Sequence, residues 1–176
     1  MTRIIAGEWR GHPLPKLKTG TVRPTTDRAR TILFDTLRDV SDMLVLDLYS
    51  GTGALGFEAL SRGARSLISI DKDPKYIHAQ KVWIADRGKD FQAYIGDVQR
   101  VLSRLTQQFD LILADPPYEE KLSSGMLEMI EAHAASNAYF VYESARRDNR
   151  DISSEVFILE KEKVVAETRI QIYKAH

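Results

Sequence analysis

The segment "ADPPYEE", residues 114–120, combines a carboxylate, two prolines and an aromatic ring. It follows "FDLILA", an apolar run that is typical of a buried strand. Proline has no backbone N–H and biases the residue before it towards extended geometry. The strand must therefore stop pairing at Asp115, and the chain continues as a stiff turn that carries the aromatic ring of Tyr118.

This order of residues suits chemistry on the exocyclic amine of a nucleobase. Such an amine is a poor nucleophile because its lone pair is conjugated with the ring. Acceptors that draw its hydrogens can aim the lone pair at a methyl carbon. Asp115 and the carbonyl of Pro116 can be those acceptors, Pro117 adds stiffness, and Tyr118 can stack on the base. The alternative is a rigid loop whose tyrosine caps the core.

A glycine-rich stretch, "LVLDLYSGTGALGFEAL", places Gly51, Gly53 and Gly56 in the spacing G-x-G-x-x-G between a predicted strand and a predicted helix. Glycines allow close backbone approach, and a helix N-terminus attracts an anion. Asp71, twenty residues after Gly51, ends the next predicted strand and can accept hydrogen bonds from ribose hydroxyls. The stretch predicts a nucleotide-like cofactor; a turn without a ligand is the alternative.

Two further acidic residues narrow the choice of cofactor. Asp47 lies four residues before Gly51, where a carboxylate would repel the pyrophosphate of a dinucleotide. A cofactor with a cationic amine beside its carboxylate, such as S-adenosylmethionine, suits this position. Asp97 ends the following strand, and it can either accept from an adenine amino group or cap the next helix.

The elements that must position these residues alternate between short apolar runs and helical patterns, which predicts a doubly wound parallel α/β sheet. The "SEVFILEKEKVVAETRIQIYKA" tail predicts an antiparallel hairpin at the sheet edge, and "RIIAGEWRGHPLPKL" predicts a small N-terminal hairpin before a first helix. Strands are predicted at 44–49, 66–70, 92–96, 110–114 and 138–143, with helices at about 53–62, 74–87, 97–107 and 119–134.

Composition places the chain among ordinary globular proteins. It has 176 residues, of which 43% are hydrophobic and 28% charged, and we expect a single domain with a hairpin and helix over 1–40 and a catalytic core over 41–176. The absence of cysteine excludes disulfides and thiolate metal sites, and four scattered histidines favour a metal-free protein. No stretch predicts a signal peptide or a membrane span, so a cytoplasmic location is expected.

Charge is unevenly distributed along this chain, whose net charge is zero. Residues 1–30 carry seven basic and two acidic side chains, which gives +5. This excess predicts contact with a polyanion through the N-terminal segment. A solvated basic face is the equally simple alternative.

Five stretches together resemble a known family. They are "RIIAGEWRG" (3–11), "RPTTDRAR" (23–30), "LDLYSGTGALGFEALSRGA" (46–64), "DPPY" (115–118) and "VYES" (141–144). The chain resembles class I S-adenosylmethionine-dependent methyltransferases of the amino-N type. More narrowly, it resembles the RsmD family, which methylates the N2 amine of one guanine in 16S ribosomal RNA. The glycine and D-P-P-Y motifs are shared with DNA methyltransferases, and the two N-terminal stretches narrow the resemblance.

The resemblance implies a three-layer, Rossmann-like sheet of seven strands with the last strand antiparallel. It also implies catalysis at 115–118 and a basic N-terminal third that faces 16S rRNA, in an assembled or assembling small subunit. We expect a monomer. The implied cofactor pocket comprises Asp47, Tyr49, Gly51, Gly53, Asp71 and Asp97.

Substrate contacts are expected from three N-terminal residues. Arg23 and Arg28 can contact phosphate or the target base, or be solvated or paired with carboxylates. Thr25 would shape the loop over the cofactor, and Trp9 is expected to pack in the hairpin rather than stack on a nucleotide. A DNA adenine-N6 methyltransferase is the runner-up, although no separate target-recognition domain is evident. A non-catalytic RNA-binding module would not need the intact motifs.

Overall fold

The computed structural model describes residues 2–15, 27–117 and 122–176. Within these ranges, seven strands form a single sheet. The strands are β1 (Leu44–Leu48), β2 (Ser66–Asp71), β3 (Asp90–Ile95), β4 (Phe109–Ala114), β5 (Ala134–Ala145), β6 (Phe157–Val165) and β7 (Thr168–Ala175). Their order in the sheet is β3-β2-β1-β4-β5-β7-β6.

Helices cover both faces of the sheet. They are α1 (Asp27–Leu37), α2 (Ala54–Ser61), α3 (Pro74–Ile84), α4 (Val98–Leu102) and α5 (Ser124–Ala132). Along β1, Val45 joins a core with α1, α2 and the N-terminal hairpin, whereas Leu46 joins a second core with α4 and α5. Successive strand residues point to opposite faces, so this alternation produces three layers. None of the helices in the described ranges has the length and apolarity that crossing a bilayer requires.

The predicted fold class is confirmed. Strands β1 to β5 pair in parallel, and β7 lies antiparallel between β5 and β6. The two C-terminal strands form the expected hairpin at the sheet edge. Near the N-terminus, an antiparallel bridge joins Arg3 and Pro13, so the predicted small hairpin is reduced to one bridge with its flanking bonds.

Several predicted helix boundaries were wrong. The helix predicted from about 119 begins at Ser124, because the side chain of Ser123 caps it by accepting the backbone N–H of Met126 at 3.2 Å. It ends before 134, where β5 begins with Ala134 paired to Phe109. The helix predicted over 97–107 spans five residues, and the one predicted to residue 87 ends at Ile84. At the end of α5, pairing in the sheet overrides local helix propensity.

The N-terminal hairpin docks on α2 through a buried carboxylate. Glu58 is fully buried and accepts the backbone N–H groups of Ile5 at 2.8 Å and Ala6 at 3.0 Å, while Arg62 donates to it at 2.8 Å. The backbone carbonyl of Ser61 accepts the N–H of Glu8 at 2.7 Å. Buried polar groups are costly unless paired, so these bonds fix the hairpin against the helix that follows the glycine loop.

One residue of the basic N-terminal segment cannot face RNA. Arg30 is fully buried and donates to the carbonyl of Arg3 at 2.7 Å and to the Asp27 carboxylate at 2.7 Å. Burial lowers the pKa of Arg30, and the attraction of Asp27 and Glu58 opposes that shift. Arg30 therefore joins α1 to the hairpin, and the predicted polyanion contact would have to use other basic residues of the segment.

A pair of glycine variants tests the docking of the hairpin. Gly7 has φ +81°, and a Cβ added there would lie 1.8 Å from the Ser61 carbonyl oxygen. Gly11 has φ +85°, and no atom of another described segment lies within 4 Å of a Cβ added there. Gly11→Ala should cost about 1–2 kcal/mol of unfolding free energy through backbone strain. Gly7→Ala should cost at least about 2 kcal/mol more, because the hairpin must move. Urea unfolding measures both; equal losses would contradict the close contact.

Candidate active site

The carboxyl ends of β1 to β5 meet at one edge of the sheet because these strands are parallel. In spatial order along this edge lie Asp97, Asp71, the glycine loop after β1, and Asp115 after β4. The strand order reverses between β1 and β4, and such a reversal opens the crevice where α/β sheets bind ligands. Leu48 pairs with Ala114, which places the glycine loop beside Asp115.

The glycine loop has an unusual backbone. Gly51 and Gly53 have φ +51° and +79°, and Tyr49 has φ +59° although it is not a glycine. A bulky residue in this region is strained, and such strain is concentrated at functional sites. Within the described ranges, and apart from the two chain neighbours, a Cβ added at Gly51 would meet one atom within 4.0 Å, the Tyr49 carbonyl oxygen. The backbone of the loop is therefore accessible to a ligand.

Asp71 holds the glycine loop from the end of β2. Its carboxylate accepts the backbone N–H of Gly51 at 2.8 Å and that of Asp73 at 2.8 Å. Burial raises the pKa of Asp71, and these two bonds oppose the shift. A carboxylate has about four acceptor positions, so capacity for ribose hydroxyls is left. Asp71 therefore fixes the glycine loop in addition to its predicted role, which is to bind ribose hydroxyls.

Asp47 lies beneath the loop. It is 2% exposed, and its Oδ2 accepts the backbone N–H of Gly56 at 3.0 Å. A Cβ at Gly56 would lie 2.7 Å from Leu67 and 2.9 Å from Asp47, so glycine permits the close approach of α2. Burial raises the pKa of Asp47 to about 8. The hydrogen bond from Gly56 opposes this rise, and the negative charges of Asp115 and Asp71 add to it. Its contact with a cofactor amine remains a prediction.

Gln80 is a site residue that the sequence-based prediction missed. It is fully buried on α3, and its Nε2 donates to the Ser50 hydroxyl at 2.9 Å and to the Gly51 carbonyl at 2.8 Å. The detectable signal was a glutamine at helical spacing between Ile77 and Ile84, on the face that α3 buries. Gln80 and Asp71 thus hold the glycine loop from two elements.

The remaining residues of the edge are placed as follows. Asp97 is exposed and caps α4 by accepting the N–H of Arg100 at 3.1 Å, so the capping alternative is observed while an adenine contact stays a prediction. Strand β4 ends at residue 114, as the prolines predicted. After it Asp115 is half-buried, Pro116 is buried and Pro117 is exposed. The predicted stacking residue Tyr118 lies outside the described residues.

The predicted substrate contacts are only partly described. Arg23 and Thr25 lie outside the described residues. Arg28 is exposed in the first turn of α1. Trp9 is 5% exposed and packs edge-on against Trp83, with ring centroids 5.3 Å apart, so the packing interpretation holds for it.

The sheet order, the glycine loop and the D-P-P turn on the neighbouring strand define a class I methyltransferase. Residues 2–174 match the model of the family described as Conserved hypothetical protein 95, the RsmD family. The chain belongs to this family.

Two relatives and one solved structure show how far the similarity extends. The chain is 30% identical to Ribosomal RNA small subunit methyltransferase D of Escherichia coli K12, covering 98% of this chain and 89% of the relative. The same-named protein of Haemophilus influenzae is 31% identical, with 98% and 93% covered. The structure of the proposed methyltransferase yhhF from Escherichia coli aligns with a TM-score of 0.89 at 28% identity, over 99% of this chain and 98% of that one.

Asp47 should make stability depend on pH. Its pKa is about 8 in the folded protein and near 3.8 when unperturbed, so the folded state binds more protons between those values. Its contribution to the unfolding free energy should therefore fall as pH rises from about 4 to about 8, by up to about 1.4 kcal/mol per pH unit. Asp47→Asn cannot ionise and should gain stability relative to the wild type over that window. Urea unfolding across pH measures this; a constant difference would contradict it.

Proposed function

We propose that this protein transfers a methyl group from S-adenosylmethionine to the N2 amine of a guanine in small-subunit ribosomal RNA. The observation that carries the proposal is the position of the glycine loop and Asp115 at the ends of the neighbouring strands β1 and β4. It is supported by the relatives named Ribosomal RNA small subunit methyltransferase D, which are 30% and 31% identical over nearly the whole chain.

The described residues fit the proposed cofactor. The open backbone at Gly51 can approach the ligand closely, and the spare acceptor positions of Asp71 suit a ribose diol. Asp47 lies beneath the loop, and although burial raises its pKa to about 8, the positive charge of a bound amine would favour its ionised form. Asp97 lies further along the same sheet edge, after β3. When bound, S-adenosylmethionine supplies an electrophilic methyl group on a sulfonium centre.

The chain's own contribution to the chemistry is to orient the amine. The Asp115 carboxylate and the Pro116 carbonyl accept its hydrogens, which turns the nitrogen lone pair away from the protein and towards the cofactor side of the crevice. Pro117 has no N–H to compete for those acceptors, and the two prolines keep the turn stiff. Tyr118 would stack on the base.

The substrate must present its base out of a helix. The N2 amine lies on the Watson–Crick edge, so the guanine has to be unpaired or turned out to reach Asp115. The basic N-terminal segment carries +5, and Arg30 is used internally. So little charge gives weak, salt-sensitive binding to naked RNA. We therefore expect a loop presented by an assembled or assembling subunit.

Asp71 should determine cofactor affinity. Asp71→Ala should weaken binding of S-adenosylmethionine by roughly 1.5–3 kcal/mol in calorimetry, because hydrogen bonds to a charged group are lost and the loop loses its anchor. Asp73→Ala is the matched control, since Asp73 caps α3 by accepting the N–H of Lys75. That variant should lose stability but retain affinity. Unchanged affinity in a folded Asp71→Ala protein would refute the ribose assignment.

Asp115 should act on the chemical step rather than on cofactor binding. With purified subunits, Asp115→Ala should lower methyl transfer by a factor on the order of 10² or more while cofactor affinity stays nearly constant. Asp115→Asn keeps one carbonyl acceptor and should be milder. In cells lacking the protein, mass mapping should show the loss of one N2-methylguanosine in small-subunit RNA. Wild-type protein should restore it and Asp115→Ala should not.

Two results would contradict this assignment. Wild-type turnover by Asp115→Ala would mean that this carboxylate only shapes the turn. Intact ribosomal RNA together with missing N6-methyladenine in DNA would favour the DNA adenine-N6 methyltransferase instead.

A further inference from the structure

A cavity of about 380 Å³ lies beyond the end of β5, next to the D-P-P turn. Its size is at the lower end of the range for small-molecule sites, roughly 300–1,000 Å³, which leaves room for about one nucleotide. Because β4 and β5 are parallel neighbours, the cavity opens at the same sheet edge as Asp115. Its lining includes Pro116, Pro117, Ala145, Arg147, Asn149 and Arg150.

The outer wall of this cavity is formed by residues 147–150 of the 146–150 loop, and hydrogen bonds hold this loop in place. Arg150 donates to both carboxylate oxygens of Asp148, at 2.6 Å and 2.9 Å. Arg169 on β7 donates to Asn149 Oδ1 at 2.9 Å, and Gln171 on β7 donates to the carbonyl of Arg150 at 2.9 Å. A wall held by side chains of a neighbouring strand is already arranged for a ligand.

The two arginines that line the cavity differ in whether an acidic side chain neutralises their charge. Arg150 is neutralised by its paired carboxylate. Arg147 is exposed, and within the described ranges no hydrogen bond or ion pair engages its guanidinium. A guanidinium presents a planar fork of donors that matches the oxygens of a phosphate. The rim therefore offers a cation beside a cavity that has room for a nucleotide.

We propose that this cavity receives the nucleoside that carries the target amine, between Pro116–Pro117 and the 146–150 loop, and that Arg147 binds a backbone phosphate of the same RNA strand. This inference rests on the proposed function. A phosphate contact of this kind fixes the register of the strand without reading its sequence, so the base enters beside Asp115 in one orientation. Arg147 is a substrate-binding residue in this scheme.

The neighbouring arginine provides a matched control. Arg146 is also exposed but does not line the cavity, so Arg146→Gln removes the same charge one residue away. With small subunits from cells lacking the protein, Arg147→Gln should raise the KM for subunits about tenfold and make the salt dependence of KM shallower by about one unit of log–log slope. The kcat and the affinity for S-adenosylmethionine should stay constant, and Arg146→Gln should resemble the wild type.

A second variant tests the cavity itself. Ala145→Phe places a ring in the cavity from the end of β5 and should abolish methyl transfer while circular dichroism and S-adenosylmethionine affinity remain as in the wild type. Equal effects of the two arginine variants on KM, or wild-type turnover by folded Ala145→Phe, would overturn the inference. If the wild-type protein itself binds the cofactor but does not methylate subunits, the proposed function fails instead.

Discussion

The hydrogen bond from the backbone N–H of Gly51 to the Asp71 carboxylate connects the two halves of the predicted cofactor site. It joins the loop after β1 to the end of β2, and Gln80 of α3 holds the same loop from the other side. Without these partners, a loop with a tyrosine at positive φ would relax, since such strain persists only where the surroundings over-determine it. The geometry offered to a ligand is therefore set before it binds.

Helix α2 connects the glycine loop to the rest of the protein. Asp47 holds the first turn of α2 against β1 by accepting the N–H of Gly56, and Glu58 and Ser61 hold its second half against the N-terminal hairpin. The family's glycine stretch and its N-terminal stretch are thus two sides of one packed interface. Arg30 adds a third connection, from α1 to the hairpin. The hairpin is consequently part of the framework that supports the glycine loop.

Much of the fold could be predicted because hydrophobic periodicity and turn residues act locally. The five parallel strands, the C-terminal hairpin and the end of β4 before the prolines followed from patterns of a few residues. Helix ends could not be predicted as well. Where α5 stops, Ala134 pairs with Phe109, and the register of strands that are distant in sequence has no local signature.

The sequence by itself determined the motifs, because the spacing of Gly51 and Gly53 and the turn after Asp115 depend only on residues that are close together in the chain. Tertiary structure decided which polar residues are buried and form hydrogen bonds between elements. Gln80 interrupts an otherwise apolar helical face, and Arg30 belongs to a basic run, yet both are fully buried and bonded inside the protein. Helical spacing can mark Gln80 as a polar residue on a buried face, but the partners of both residues come from distant segments, so no local pattern could name them.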